Sequence, residues 1–248
     1  VIGGMEKVFE INKNFRNEGL STRHNPEFTM LEFYTAYVDV NYQMKFVENM
    51  LRDIEKKIGT KTKIFEKDFI KLSMDEAIIK YTDLSKGDLL DLEKLISFSN
   101  NSKIKVEKNS VIGILKAEIF DTLVEKKLLN PTFIYDYPIE ISPLSRSSDE
   151  DELIAERFEL FVNGRELGNA FSELNDPSEQ SNRFRTQSEK KESGDQEAMH
   201  FDGDYIEALE YGLAPCAGVG IGIDRLVMLL TGTESIRDVL LFPQLKNK

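Results

Sequence analysis

Residues 15–34 read FRNEGLSTRHNPEFTMLEFY, a strand, a polar loop and a returning strand. Side chains alternate between the faces of a strand. Arg16 and Glu18 therefore share one face, and Phe28, Met30, Glu32 and Tyr34 share one face of the return strand, with Leu31 and Phe33 on the other. A glutamate between two aromatics is desolvated at a cost unless a cation meets it. The stretch reads as one wall of a polar pocket built on an antiparallel sheet. A solvated sheet face would show the same alternation, and spacing alone does not choose between the two.

Beyond this hairpin, residues 42–58 carry Val47, Met50, Leu51, Ile54 and Ile58 at helical spacing, which predicts a helix packed on the sheet. From residue 73 to 130 the composition turns to Lys, Glu, Leu and Ile. Leu115, Ile119 and Leu123 step by four there, and Ser73, Ser85 and Ser110 are candidate caps. This block reads as a helical insertion whose charge runs face solvent. Strand character returns at TFIYDYPIEISPL, residues 132–144. The expected organisation is a sheet domain in two parts, residues 1–72 and 131–248, interrupted by the insertion at 73–130.

A second dense block is RFELFVNGRELGNAFSELNDPSEQ, residues 157–180. Asn163-Gly164 between apolar-alternating runs predicts a two-residue hairpin with positive φ at both central residues. That register sets Val162 opposite Arg165 and Phe161 opposite Glu166, and makes Glu159 and Glu166 diagonal neighbours. Like charges so placed repel, and a divalent cation with oxygen ligands is the usual repair, although two merely hydrated carboxylates fit the same pattern. Glu166 and Glu173 lie seven residues apart, which strict alternation would put on opposite faces. A bulge near Gly168 is expected to bring them together. Asp176, Pro177 and Glu179 suit N-cap, N1 and N3 of a following helix.

A third block, GVGIGIDRLVMLLTG at 218–232, reads as a strand running into a helix. Its glycines miss the third position of a dinucleotide fingerprint, where Ile223 stands. They leave one face of the strand bare, so something flat could approach the backbone. Arg225, near a helix start, is expected to have an anion beside it.

Composition narrows the remaining classes. With 248 residues, 40% of them hydrophobic, the chain can bury a sizeable core. No apolar run is long enough to span a bilayer, and neither a signal peptide nor a membrane partner is expected. One cysteine, Cys216, allows no internal disulfide and points to the cytoplasm, and with only two histidines a Cys/His zinc site is excluded. A net charge of −12 argues against gripping nucleic acid by a broad basic surface. The chain opens at Val1 directly into sheet-like sequence, and is expected to be a fragment.

Together the three blocks resemble the catalytic segments of class II lysyl-tRNA synthetases. FRNEGLSTRHNPEFTMLEFY is similar to the family's second signature motif, GRELGNAFSELND to its lysine- and metal-binding strand, and GVGIGIDRLVMLLTGTESIRDVLLFP to its third. RHNPEFTMLE is specific to the lysine branch. The resemblance spans nearly all of the chain outside the insertion, and it implies an α+β fold class, an antiparallel sheet flanked by helices with the insertion between the second and third motifs.

It implies a two-step reaction, in which the lysine carboxylate attacks the α-phosphate of ATP and lysine then passes to the 3′ end of tRNA(Lys). Such a displacement needs alignment and charge neutralisation more than an acid or a base. By motif position, Arg16 and Arg225 are the catalytic residues. Arg16 holds the α-phosphate, Phe28 and Arg225 sandwich the adenine, and Glu18, His24 and Asn25 also contact ATP. Glu159 and Glu166 hold Mg2+. Glu32, Tyr34 and Glu173 receive the lysine ε-ammonium, Phe171 lines the same pocket and Asn169 fixes the substrate carboxylate.

Ala170 replaces a glycine usual in the family and is expected to narrow the pocket slightly. The family's anticodon-binding domain and its first signature motif, which builds the homodimer interface, are expected to be missing from such a fragment. A glutamate that binds the lysine α-amino group would lie before Val1. Isolated, such a fragment is expected to be a weak or inactive catalyst. Two other readings are a ligase that attaches a lysine derivative to a translation elongation factor, and a non-catalytic synthetase-like binding module.

Overall fold

The computed structural model describes residues 1–17, 19–107, 110–192 and 200–245. Its centre is a seven-stranded sheet ordered β1 (Lys7–Phe15), β2 (Glu27–Ala36), β7 (Cys216–Gly222), β6 (Glu166–Ser172), β5 (Ile154–Phe161), β4 (Thr132–Pro138) and β3 (Ile70–Ser73). All neighbours are antiparallel except β3 and β4, which run parallel. The last strand in the chain, β7, thus sits between the first hairpin and the 157–172 hairpin.

Alternation divides the sheet into two faces. Phe33, Val219, Ala170 and Phe158 stand opposite one another across β2, β7, β6 and β5. Against them pack α1 (Val40–Ile58), through Met44, Val47 and Leu51, and α7 (Ile223–Thr231), through Leu226 and Leu230. Each such aliphatic side chain taken out of water contributes about 1.5–3 kcal/mol. Helix α1 begins at Asp39, whose carboxylate accepts from Tyr42 N, and ends at Gly59 in the left-handed region. Glu55, near its end, is buried and accepts from the backbone N–H groups of Ile64, Phe65 and Glu66 at 2.7, 2.8 and 3.1 Å.

The 73–130 block is helical, with α2 (Met74–Tyr81), α3 (Leu92–Asn101) and α4 (Ile112–Leu123). Ser73 closes a capping box with Glu76. Ser110 does not cap α4, because its hydroxyl instead accepts from Glu107 N; Asp91 caps α3. These helices form a second core with Ile134 and Phe161. Ile134 is paired with Glu159, so the insertion covers the sheet face opposite α1. The expected strand at 132–144 ends at Pro138 and gives way to a 3-10 turn at Ile139–Ile141. Asp136, at φ 58°, breaks the ladder between Tyr135 and Tyr137. Two further helices, α5 (Pro177–Glu192) and α6 (Gly203–Glu210), precede β7. Asp176 Oδ1 accepts from Ser178 N and Glu179 N, which is the predicted cap. Among the described residues no helix is long and apolar enough to cross a membrane.

Candidate active site

The face left open between β1 and the insertion carries the first hairpin's polar residues. Strand pairing extends one residue past β1, with Arg16 N donating to the Pro26 carbonyl at 3.0 Å. Arg16 lies over the Phe28 ring, 5.3 Å from its centroid. In the loop, Ser21 Oγ accepts from Arg23 N and His24 N at 3.0 Å and meets His24 Nδ1. A distant segment pins this loop, since Ile236 N donates to the Thr22 carbonyl and Gln244 N to Asn25 Oδ1. The other end of the Asn25 amide donates to the Glu27 carbonyl at 2.6 Å. Asn25 lines the cleft, yet both ends of its side chain are engaged by backbone. Glu18 lies outside the described residues.

The register then carries polar groups across four strands. Glu32 faces Gly220, which faces Asn169, which faces Glu159; Tyr34 faces Gly218, which faces Phe171. The bare glycine face of β7 has a specific use. A Cβ at Gly220 would come 3.0 Å from Met30 Cε, and one at Gly218 would strike Tyr34 and Glu173, so these neighbours fill the space. Glu173 is buried and burial pushes its carboxyl up to about 8. Burial, and then the nearby Glu173 and Glu32, push the Tyr34 hydroxyl well above its ordinary value. Tyr205 of α6 is pushed up to about 12 by burial and by Glu173. The pocket end is thus a buried enclosure with acceptors, and among the described residues no cation is paired with Glu173. It suits a positively charged guest.

The 157–172 hairpin has the predicted turn. Asn163 and Gly164 take φ of 54° and 66°, and Val162 and Arg165 exchange backbone hydrogen bonds. The ladder slips between Leu160 paired with Gly168 and Phe161 paired with Glu166, leaving Leu167 as the extra residue. This is the bulge expected near Gly168, and it puts Glu166 on the face of Glu159 and Asn169. Burial and then the Glu166 charge raise the Glu159 carboxyl, while Arg157 opposes them. Glu159 is paired with Arg157 and accepts from Tyr137 Oη at 3.0 Å. Glu166 has Arg225 beside it at 3.4 Å, the anion expected near that helix start. Arg225 also donates to the Glu166 carbonyl at 2.7 Å and lies 3.3 Å from His24 Nε2. Its neighbour Asp224 accepts from Thr29 N at 2.7 Å, fixing α7 to β2.

These residues enclose a cleft of about 460 Å³. Arg16, His24, Asn25, Phe28, Glu32, Tyr34, Glu166, Asn169, Phe171, Glu173 and Arg225 all line it. Glu159 lines an adjoining chamber of about 340 Å³ that shares Arg23, His24, Glu166 and Arg225 with the cleft. Among the described residues no three His, Cys, Asp or Glu side chains are grouped to hold a metal. The donor set of Glu159 and Glu166 nevertheless fits a hard divalent ion, which would offset the like charges that raise Glu159. One expectation is corrected. Ala170 is fully buried in the α1-side core, paired with Phe158 and Val219, so its methyl points away from the cleft and does not narrow it.

Several residues of the site escape a strand-by-strand reading. Arg23 lies in the loop, where no periodicity assigns a face, and only its place beside His24 marks it. Arg165 lies at the turn, with Nε buried and unpartnered. Asp121, whose carboxyl burial and then Glu125 and Glu118 push up to about 6, reaches the chamber from α4. Arg157 engages both Asn169 and Glu159.

Residues 1–246 match the family model of tRNA synthetases class II (D, K and N). Three similar proteins are each named "Lysine--tRNA ligase". The one from Nitrosomonas europaea is 54% identical over 257 aligned residues, covering 100% of this chain and 51% of its own. That of Wigglesworthia glossinidia brevipalpis is 53% identical, covering 100% and 52%, and that of Pseudomonas aeruginosa UCBPP-PA14 is 52% identical, covering 99% and 51%. The chain spans about half the length of these curated relatives. With the match running through the hairpin, the bulged strand and the glycine strand alike, the chain belongs to the class II tRNA synthetases of the D, K and N group.

Proposed function

We propose that this site activates lysine with ATP, forming lysyl-adenylate and pyrophosphate, and passes lysine to tRNA(Lys). The observation that carries the reading is the buried Glu173 beside Tyr34 and Glu32, at one end of a cleft whose other end holds Arg16, Phe28 and Arg225. One end takes a cation and the other a polyanion. Spanned by one substrate chain, they bring an amino acid's carboxylate to a nucleotide's phosphates.

In the first step a carboxylate oxygen of lysine attacks the α-phosphorus, and the bond to the bridging oxygen of pyrophosphate breaks. Arg16 pairs with the α-phosphate and the attacking carboxylate, which brings two anions together and spreads the charge that develops. Phe28 and Arg225 hold the adenine between a ring and a guanidinium, with His24, Asn25 and Glu18 as further ATP contacts. Asn169 fixes the lysine carboxylate, Phe171 flanks the alkyl chain, and Glu32, Tyr34 and Glu173 receive the ammonium. Glu159 and Glu166 would hold Mg2+, which when bound neutralises phosphate charge. In the second step the terminal tRNA hydroxyl attacks the carbonyl carbon and AMP departs. A homodimer working in the cytoplasm completes the proposal.

Calorimetry with lysine, norleucine and Mg·ATP tests it. Norleucine keeps the alkyl chain and lacks the ammonium, so it leaves Glu173 without a partner. A penalty of about 2–5 kcal/mol for that loss predicts binding weaker than lysine by about thirtyfold or more. Equal binding of the two amino acids would overturn the reading.

A further inference from the structure

Arg157 backs the wall of the cleft, joined to Asn169, which lines the cleft, and to Glu159, which lines the adjoining chamber. It lies on β5 opposite Phe171, and its side chain is only 15% exposed. Its N–H groups are divided among three parts of the fold. Nε donates to Asn169 Oδ1 on β6 at 3.1 Å. One terminal nitrogen donates to the Ile141 carbonyl and to Ser142 Oγ, both at 3.0 Å. The other is paired with the Glu159 carboxylate. The Tyr137 ring supports the guanidinium, with 4.6 Å from its carbon to the ring centroid, and the Tyr137 hydroxyl holds the second Glu159 oxygen.

The hydrogen-bonding inventory of an amide gives the first consequence. With Asn169 Oδ1 turned toward the guanidinium, Nδ2 and its two donors are the end left for the cleft. Asn169 can then donate to an anion. Freed of Arg157, the amide can turn over and present an oxygen, which repels a carboxylate. The second consequence concerns Glu159. Arginine and tyrosine each hold one of its oxygens, so the plane of the carboxylate is set before any cation arrives.

We propose that Arg157 is a positioning residue that couples the amino-acid end of the cleft to its carboxylate pair, setting the donor face of Asn169 and the plane of Glu159 with one guanidinium. The inference rests on the proposed function for the identity of the ligands. A planar fork is required. Lysine at this position would keep the charge beside Glu159 yet lack the geometry to serve both partners.

The test compares Arg157→Lys, Asn169→Ala and Glu159→Gln in the purified protein. Lysine affinity is read by calorimetry and Mn2+ affinity, with ATP present, by electron paramagnetic resonance. Arg157→Lys should weaken both by about tenfold or more, as expected when a supporting contact to a ligand-holding group is lost. Asn169→Ala should weaken lysine alone and Glu159→Gln the metal alone. Adding Asn169→Ala to Arg157→Lys should weaken lysine binding no further, since the two changes remove one interaction. Ser142→Ala removes a single anchor of the guanidinium, and a smaller parallel loss of both ligands is expected even if Arg157→Lys does not fold. Variants with lowered melting temperature and unchanged affinities, or losses that add, overturn the inference alone. A wild-type protein that binds neither lysine nor Mn·ATP overturns the proposed function and the inference with it.

Discussion

Tyr34 and Glu173 approach from opposite sides of β7 and meet over Gly218. A Cβ at that glycine would lie 2.5 Å from the Tyr34 ring and strike the Glu173 carboxylate. Gly218→Ala should therefore displace both side chains. Overpacking of this kind costs about 1–3 kcal/mol of stability. Lysine affinity should fall much more than Mg·ATP affinity, because the adenine end of the cleft is built from other residues. Denaturant unfolding and calorimetry on the same preparation check both parts; unchanged lysine affinity would mean the pocket end lies elsewhere.

Glu173→Gln keeps the shape of the pocket and removes its charge. Lysine binding should weaken by about 2–5 kcal/mol, as for a buried pair that loses one partner, with Mg·ATP binding nearly unchanged. Equal losses for both ligands would remove Glu173 from the amino-acid end.

Proton linkage gives an independent test. In the free protein the Glu173 carboxyl, pushed up to about 8 by burial, is mostly protonated at pH 7. An ammonium placed beside it favours the carboxylate, so lysine binding should release up to about one proton and strengthen as pH rises toward 8. Calorimetry in buffers of different ionisation enthalpy counts that proton. Without lysine the sign is opposite for stability. The folded value lies above that of an unfolded glutamate, so this contribution is full at acid pH and is lost as pH rises through about 8. Glu173→Gln should flatten that part of the melting-temperature profile.

Glu55 makes a stability prediction away from the cleft. Its carboxylate satisfies three backbone donors of the 64–66 turn in a buried setting. Glu55→Ala orphans all three, and each hydrogen bond to a charged acceptor is worth about 1.5–3 kcal/mol. A loss of about 3 kcal/mol or more is expected by urea unfolding, with the α1 helix itself retained by circular dichroism. A loss below 1 kcal/mol, roughly that of an exposed residue, would show that water replaces the carboxylate.

What could be read from the sequence was what depends on neighbours in the chain. The Asn163-Gly164 turn, the slip that leaves Leu167 unpaired and the Asp176 cap are each decided within about ten residues, where backbone sterics and alternation act directly. The same alternation places Ala170 on the core face, since Asn169 and Phe171 occupy the other. The places of Arg157 and Asp121 at the site were not legible. Their roles depend on β5 and α4 being brought together over the same sheet face, a consequence of packing the insertion at Ile134 and Phe161. Glu55 was equally hidden, because a glutamate near the end of an amphipathic helix ordinarily faces water. The ATP and lysine assignments came from resemblance and stand on motif position, to which the register across β2, β7 and β6 adds a shared surface.

The position of β7 has a consequence for synthesis. Its residues 216–222 zip between β2 and β6, joining strands made early to a strand made much later. Long-range pairing of this kind is slow to form, because chain entropy is lost before the contacts exist. A nascent chain on the ribosome can fold the first hairpin, and later the insertion, yet it has no floor between Glu32 and Asn169 until β7 emerges. The cleft is therefore assembled only after Gly222 has been made, and shorter nascent chains lack the surface that joins Glu32 to Asn169.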